Sequence, residues 1–223
     1  MCGGAPFLSG AIDPEFDTFL FDLDGTLIDS IELIFRCYRH AAATHLGEQP
    51  PSSVWRDGLG TPLREQFRAV TSDADLIETM VVTYREFHNE HHDSSVSVYP
   101  DVEEVLRALR RRAKLGVVTS KLRAGAERGL KLLGLFHFFD VVVTADEVEH
   151  AKPHPEPVET ALERLGASAA RSIFIGDSPH DIASGRGAGV KTAGVLWGPF
   201  ARDELLKASP DFLLDSPKKI LDL

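Results

Sequence analysis

Cysteine is scarce in this 223-residue chain: Cys2 and Cys37 are the two there are, too few for a disulfide framework or a thiolate metal site. Cys37 falls in a helical pattern and reads as a small hydrophobe. Long hydrophobic runs are missing as well, so no membrane span is expected. No basic segment followed by an apolar stretch opens the chain, so a signal peptide is not expected and the cytoplasm is the expected location. Positive charge is in deficit. With 24 Lys and Arg against 34 Asp and Glu, the formal net charge is -10 at pH 7, which argues against nucleic acid or an anionic membrane as a partner. An anionic substrate stays open, because a metal ion and one or two lysines reverse the sign locally. The length suits one good core, or a core with a small accessory domain.

The most informative stretch present is Phe19-Leu20-Phe21-Asp22-Leu23-Asp24-Gly25-Thr26-Leu27. An apolar run over Thr18–Leu23 reads as a buried strand, and Gly25 reads as a turn. On a regular strand Asp22 and Asp24 would share a face. If the chain turns after Asp22, one carboxylate stays at the strand tip and the other swings over it. Buried like charges need a cation, a shared proton or a lysine beside them.

The organisation around this motif is two-part. Residues 1–16 lack periodicity, and Gly10–Phe16 has the look of a vector-derived linker, so this segment is set aside from the fold. From Ser30 the spacing becomes helical, with Ile31, Ile34, Phe35, Tyr38 and Ala42 on one face. A short helix is expected over Pro62–Val70 and a further helix from Asp73 to about His92. No strand signal lies between Ser30 and Ser95. After Pro100, helices and strands alternate: strands over Leu115–Val118, Phe139–Val143, Ser172–Ile175, Thr192–Leu196 and Phe212–Leu214, with helices around Val102–Leu109, Ala124–Leu133, Val158–Leu165 and Asp181–Ala188. Such alternation implies βαβ units and a parallel sheet covered on both faces. The expected fold is therefore α/β, with a Rossmann-like three-layer core from residues 17–30 and 96–223, interrupted by a small all-helical domain over 31–95.

Four polar clusters share one place in this scheme, at or just after the carboxyl end of a strand. They are Asp22 with Asp24, Thr119-Ser120-Lys121, Lys152 in Ala151-Lys152-Pro153, and Asp177 with Asp181 in Gly176-Asp177-Ser178-Pro179-His180-Asp181. Ligands bind at that edge of open parallel sheets. With these motifs in this order, the chain resembles the haloacid dehalogenase superfamily of phosphotransferases over Phe19–Leu223, and within it the phosphoglycolate phosphatase and pyrophosphatase branch with a helical cap.

The resemblance implies a role for each motif. Asp22 would be the nucleophile that takes the phosphoryl group, and Asp24 the general acid/base. Mg²⁺ would be held by Asp22, the backbone carbonyl of Asp24 and Asp177. Thr119 and the backbone N–H of Ser120 would bind phosphoryl oxygens, Lys152 would offset charge, and Asp181 would orient Lys152 or a metal-bound water. The closeness of Asp24 to Asp22 is expected to favour its protonated form. Dehalogenases of the superfamily lack the second acid, so its presence favours phosphoryl chemistry. Arg64, in Gly58–Glu65, is expected to contact a substrate anion from the cap. Lys121 is close enough in sequence to reach substrate and equally readable as a solvent-facing helix start, and His88, His91 and His92 read as the polar end of a helix. The substrate implied is a small phosphorylated metabolite of the phosphoglycolate or pyrophosphate type, handled by a monomer or homodimer. The alternative is a β-phosphoglucomutase-like phosphosugar mutase, although the cap lacks the basic Lys-Gly loop expected of one.

Overall fold

The computed structural model describes residues 16–47 and 49–223, so the segment set aside as a linker lies outside the described residues except for its last member. Phe16 belongs to the fold. It is buried and meets Phe19 and Phe212 edge-on, each at 6.2 Å between ring centroids.

In chain order the elements are β1 (Thr18–Phe21), β2 (Ile28–Asp29), α1 (Ile31–Leu46), α2 (Ser52–Asp57), α3 (Leu63–Arg68), α4 (Ala74–Ser95), β3 (Ser97–Val98), α5 (Val102–Leu109) and β4 (Lys114–Val118). There follow α6 (Arg123–Leu132), β5 (Val141–Val143), α7 (Glu156–Leu165), β6 (Ser172–Gly176), α8 (Pro179–Gly187), β7 (Lys191–Val195), α9 (Arg202–Lys207) and β8 (Phe212–Leu214). Six strands form one parallel sheet in the order β5-β4-β1-β6-β7-β8. Strand β1 sits in the middle, with Phe19 opposite both Leu115 and Ile173. Burial on both faces explains why its sequence is apolar without alternation.

The two faces of β1 still have separate partners. Phe19 and Phe21 join Val102, Leu106 and Leu109 of α5 and Leu130 of α6, whereas Leu20 joins Val158, Ala161 and Leu162 of α7 with Phe174 of β6. This makes a three-layer α/β core. Because the chain leaves β1 to build outward on the β4 side and later on the β6 side, the strand order reverses beside β1. That reversal opens a crevice at the carboxyl edge.

Helices α1 to α4 gather around a second cluster that includes Tyr38, Ala41, Trp55, Phe67, Ile77 and Met80. Tyr38 stacks on Trp55 at 5.0 Å with 2° between ring planes. The same cluster takes in Phe200 and Leu205, so the helical segment rests on the chain that follows β7. Its two connections to the sheet run side by side as the antiparallel pair β2–β3, with Ile28 opposite Val98 and Asp29 opposite Ser97.

Several elements differ from the sequence expectation. β1 ends at Phe21, two residues early, because the chain enters a tight turn in which Leu27 and Ile28 both donate to the Leu23 carbonyl. Helices α2 and α9 are unforeseen. Each is six residues long, too short to show a helical period.

Leu20 tests the three-layer packing, since it is fully buried between β1 and α7. Leu20→Ala should lower unfolding free energy by roughly 2–5 kcal/mol, measured as a shift of the urea midpoint at unchanged slope.

Candidate active site

Parallel strands put their carboxyl ends on one edge, and that is what collects the polar clusters. Asp22 follows β1, Thr119 follows β4, Asp177 follows β6 and Lys152 lies in the loop after β5. The turn after Asp22 decides between the two arrangements open to the acidic pair. Asp22 stays at the strand tip and remains buried, its N–H donating to the Ile175 carbonyl at 2.9 Å. Gly25 then takes a φ of +87°, and a Cβ there would stand 2.6 Å from Asp177 Oδ2. Glycine is required twice over, for the left-handed backbone and for the approach of the carboxylate. Gly198 closes the other side, where a Cβ would stand 2.4 Å from the Asp177 Cβ. The Trp197 indole N–H donates to the Thr26 carbonyl at 3.0 Å and pins the same turn.

Lys152 occupies the centre. Its buried ammonium donates to Asp22 Oδ1 at 2.6 Å, to Asp181 Oδ1 at 2.7 Å and to the Val118 carbonyl at 3.3 Å. All three donors of the group are thereby used. Asp181 Oδ2 accepts from the Ser178 N–H at 3.0 Å and from its hydroxyl at 2.6 Å, so the start of α8 fixes the acid that fixes Lys152. Burial disfavours the lysine's charge, but Asp181 and Asp22 outweigh it and raise its pKa.

Carboxylate oxygens of Asp22, Asp177 and Asp181 lie within 4.8 Å of one another, and all three residues are buried. One ammonium does not balance three carboxylates. Burial raises the Asp22 carboxyl to about 6 in spite of Lys152. It holds Asp177 well above the usual carboxylate range, with the charges of Asp22 and Asp181 adding to the effect. A group of buried oxygen donors carrying excess negative charge fits a hard divalent cation.

Asp24 stands outside this carboxylate group. Its side chain is held by the loop after β4 and by the residue before α1: Lys121 Nζ donates to Oδ1 at 2.7 Å and Oδ2 at 3.0 Å and the Ser30 hydroxyl to Oδ1 at 2.6 Å. The expectation of a protonated Asp24 is therefore corrected. Burial alone would raise its carboxyl, but the Lys121 charge and these hydrogen bonds bring it below its ordinary value. The upward shifts in the site fall on Asp22 and Asp177 instead. Lys121 is the site residue that sequence reasoning undervalued. Its signal was present: it is the third residue after β4, in the same loop as Thr119.

Thr119 is buried beside Asp22's strand, and its hydroxyl accepts from the Lys121 N–H at 3.1 Å. The Ser120 hydroxyl faces the helical segment and donates to the Gly60 carbonyl at 2.5 Å. A Cβ on Gly60 would come within 3.0 Å of the Ser178 hydroxyl. The loop between α2 and α3 thus lies across two of the strand-end clusters. Arg64 does not join them. It projects from α3 at the surface, and its guanidinium is engaged by Glu78 of α4, with the Nη2–Oε2 contact at 2.8 Å. The helical turn after the glycine loop rotates this residue away from the crevice.

The histidines also differ from expectation. His88 and His92, one turn apart on α4, are buried with ring centroids 5.1 Å apart, and His88 stacks against Tyr84. Helix α4 is long enough that its last turns pack on the core, where His92 approaches Gly129 of α6. Burial, with the Lys121 charge added, lowers the His88 imidazole to about 4 despite the attraction of Asp24.

The family model for haloacid dehalogenase-like hydrolases matches residues 19–195. The chain belongs to the haloacid dehalogenase-like hydrolases. It is 43% identical over 210 residues to pyrophosphatase PpaX of Bacillus cereus, covering 94% of this chain and 96% of that one. It is 42% identical over 214 residues to pyrophosphatase PpaX of Anoxybacillus flavithermus, covering 94% and 97%. Among solved structures, a haloacid dehalogenase-like family hydrolase from Streptococcus pneumoniae superposes with a TM-score of 0.83 at 27% identity, over 93% of this chain and 98% of that one. The hydrolase is thus of the phosphatase and pyrophosphatase kind. Hydrolases of this family typically need a divalent metal, and the Asp22, Asp177 and Asp181 cluster offers the oxygen donors for one. No helix among the described residues is long and apolar enough to cross a membrane.

His88 gives the hydrolase a pH signature. An imidazole held neutral in the fold takes up fewer protons than the unfolded chain between pH 6.5 and about 4, so stability is full above that window and falls as pH drops through it. The loss should reach up to roughly 3 kcal/mol. His88→Gln should flatten the slope of unfolding free energy between those pH values relative to wild type.

Proposed function

We propose that this hydrolase is a Mg²⁺-dependent phosphatase acting on a small phosphometabolite whose leaving group is itself an anion, with pyrophosphate as the first substrate to test. The observation that carries this is Lys121. A half-buried ammonium held against the second acid of the site stands where negative charge would develop on the leaving group, and it suits phosphate or a carboxylate-bearing alcohol better than a neutral sugar. The pyrophosphatase relatives support the same choice, and the phosphosugar mutase alternative loses ground.

In this proposal, Asp22 attacks phosphorus, a bond forms from its carboxylate oxygen, and the bond to the leaving oxygen breaks. Asp22, the Asp24 backbone carbonyl and Asp177 would hold the divalent cation, which would neutralise carboxylate and phosphoryl charge there. Lys152 offsets the remaining charge of Asp22 and is kept in place by Asp181. Thr119 and the Ser120 N–H hold phosphoryl oxygens. Asp24 donates a proton to the leaving oxygen as Lys121 shifts its hydrogen bonds from Asp24 to the leaving anion. Losing that ammonium raises the Asp24 carboxyl towards its protonated form, which couples substrate entry to loading of the acid. Water then attacks phosphorus, gives a proton to Asp24, and releases phosphate and free Asp22.

Residues 31–95 act in this proposal as a lid over the core of residues 17–30 and 96–223, hinged at the β2–β3 pair and latched by Ser120 on Gly60. Closure excludes water from the charged crevice. The enzyme works in the cytoplasm as a monomer or homodimer, without nucleic acid as partner.

Asp22→Asn should reduce phosphate release with Mg²⁺ to background while the melting transition persists; turnover by that variant would sink the nucleophile assignment. Lys121→Met should lower kcat/KM for pyrophosphate by about 10²-fold or more and for a neutral-leaving-group aryl phosphate by much less. Equal losses on both substrates would remove the case for an anionic leaving group, and isomerisation of a hexose 1-phosphate would favour the mutase.

A further inference from the structure

The loop that delivers Lys152 carries a second group of metal-type ligands that the phosphatase reading does not use. His150, His154 and Glu156 each offer one ligand atom, and these atoms lie within 4.8 Å of one another. The two imidazoles face each other with ring centroids 4.6 Å apart. His150 Nδ1 is already 2.9 Å from Glu156 Oε2, and His154 Nδ1 is 4.0 Å from the same oxygen. Both rings are about half exposed, at 56% and 48% of the side chain, so an ion can reach them from solvent.

The donor set is held in advance. Glu156 Oε1 accepts from the Glu149 N–H at 2.8 Å and Oε2 from the His150 N–H at 2.9 Å, which fixes the carboxylate and leaves lone pairs on both oxygens. The His154 backbone is tied on both sides, its N–H to the Ala151 carbonyl at 3.0 Å and its carbonyl to the Ser184 hydroxyl at 2.7 Å. Pro153 and Pro155 remove freedom from the intervening residues. Hydrogen-bonded ligands on a stiff loop lose little entropy when an ion binds.

We propose that His150, His154 and Glu156 form a surface site for a borderline transition ion of the Zn²⁺ type, separate from the acidic centre. The chemistry separates the two sites by metal. Two imidazoles and one carboxylate select zinc, nickel or copper over magnesium, whereas the all-oxygen cluster of Asp22, Asp177 and Asp181 suits the hard ion. Zinc bonds of about 2.0–2.1 Å set ligand atoms about 3.3 Å apart, and rotation of the His154 ring, whose Nδ1 gives up a 3.2 Å contact from the Glu156 N–H, brings in the one ligand still distant. Lys152 lies midway between the two histidines in sequence, so an ion there ties together both arms of the loop that places it.

The test uses the full chain, freed of metal and then kept in excess Mg²⁺ so that the acidic centre is occupied. Calorimetric titration with Zn²⁺ should show one equivalent bound with a rise in melting temperature, and Co²⁺ in its place should give the visible absorption of a nitrogen-ligated site. His154→Ala should weaken Zn²⁺ binding by at least about tenfold, and His150→Ala combined with His154→Ala should remove both the equivalent and the cobalt band, with the zinc-free melting temperature unchanged. Retention of the equivalent in the double variant, or its displacement from wild type by Mg²⁺, would place the ion elsewhere and overturn the proposal. These readouts are independent of turnover, so they stand whether or not the chain hydrolyses pyrophosphate.

Discussion

A buried ammonium between two buried carboxylates is the constraint on which the rest of this structure depends. Lys152 cannot leave Asp22 and Asp181 without stranding them in a low-dielectric interior, and neither acid can be placed without the strand end or helix that presents it. Asp22 requires β1 at the centre of the sheet, Asp181 requires the first turn of α8, and Lys152 requires the loop between β5 and α7 to fold back over the sheet edge. Three distant parts of the chain are thereby held to one geometry. The glycines around them follow from the same crowding. Gly25, Gly176 and Gly198 stand where a single added carbon would meet Asp177 or Asp181.

The site then divides its charge unequally. On one side, Asp22, Asp177 and Asp181 share one lysine and remain in excess; burial, with the neighbouring carboxylate charges added, raises Asp22 and Asp177, and the group offers oxygen donors for a cation. On the other, Asp24 has Lys121 and Ser30 to itself and stays ionised. Two acids separated by one residue therefore rest in opposite protonation tendencies, because the turn after Asp22 sends them into different surroundings. This division is what the proposed roles of nucleophile for one carboxylate and proton carrier for the other rest on.

Much of this was legible in the chain itself. Alternating apolar segments gave the parallel sheet, and the helical period from Ile31 marked the inserted segment, since both signals arise from local repeat geometry. That Asp22, Thr119 and Asp177 share one edge was legible because each follows a strand end, and parallel strands bring such ends together whatever the details of packing; Lys152 reaches the same edge from the loop after β5. Arg64 sits outside the crevice, paired with Glu78, which the sequence could not reveal because one residue of helical rotation separates facing the crevice from facing solvent. His88 and His92 were taken for a polar helix end, since the helical period gives the length of α4 but not that its last turns press against α6.

What the sequence determined by itself was the architecture and the identity of the acids, both fixed by short-range pattern: apolar periodicity, turn residues and strand-end placement. What only the tertiary structure decided was how those charges pair. Lys121 with Asp24, Lys152 with Asp22 and Asp181, and Ser120 with Gly60 are contacts between residues 97, 130, 29 and 60 positions apart. Coulomb energy and hydrogen bonding depend on distances of a few ångströms, and sequence spacing carries no such distance once the chain has folded back on itself.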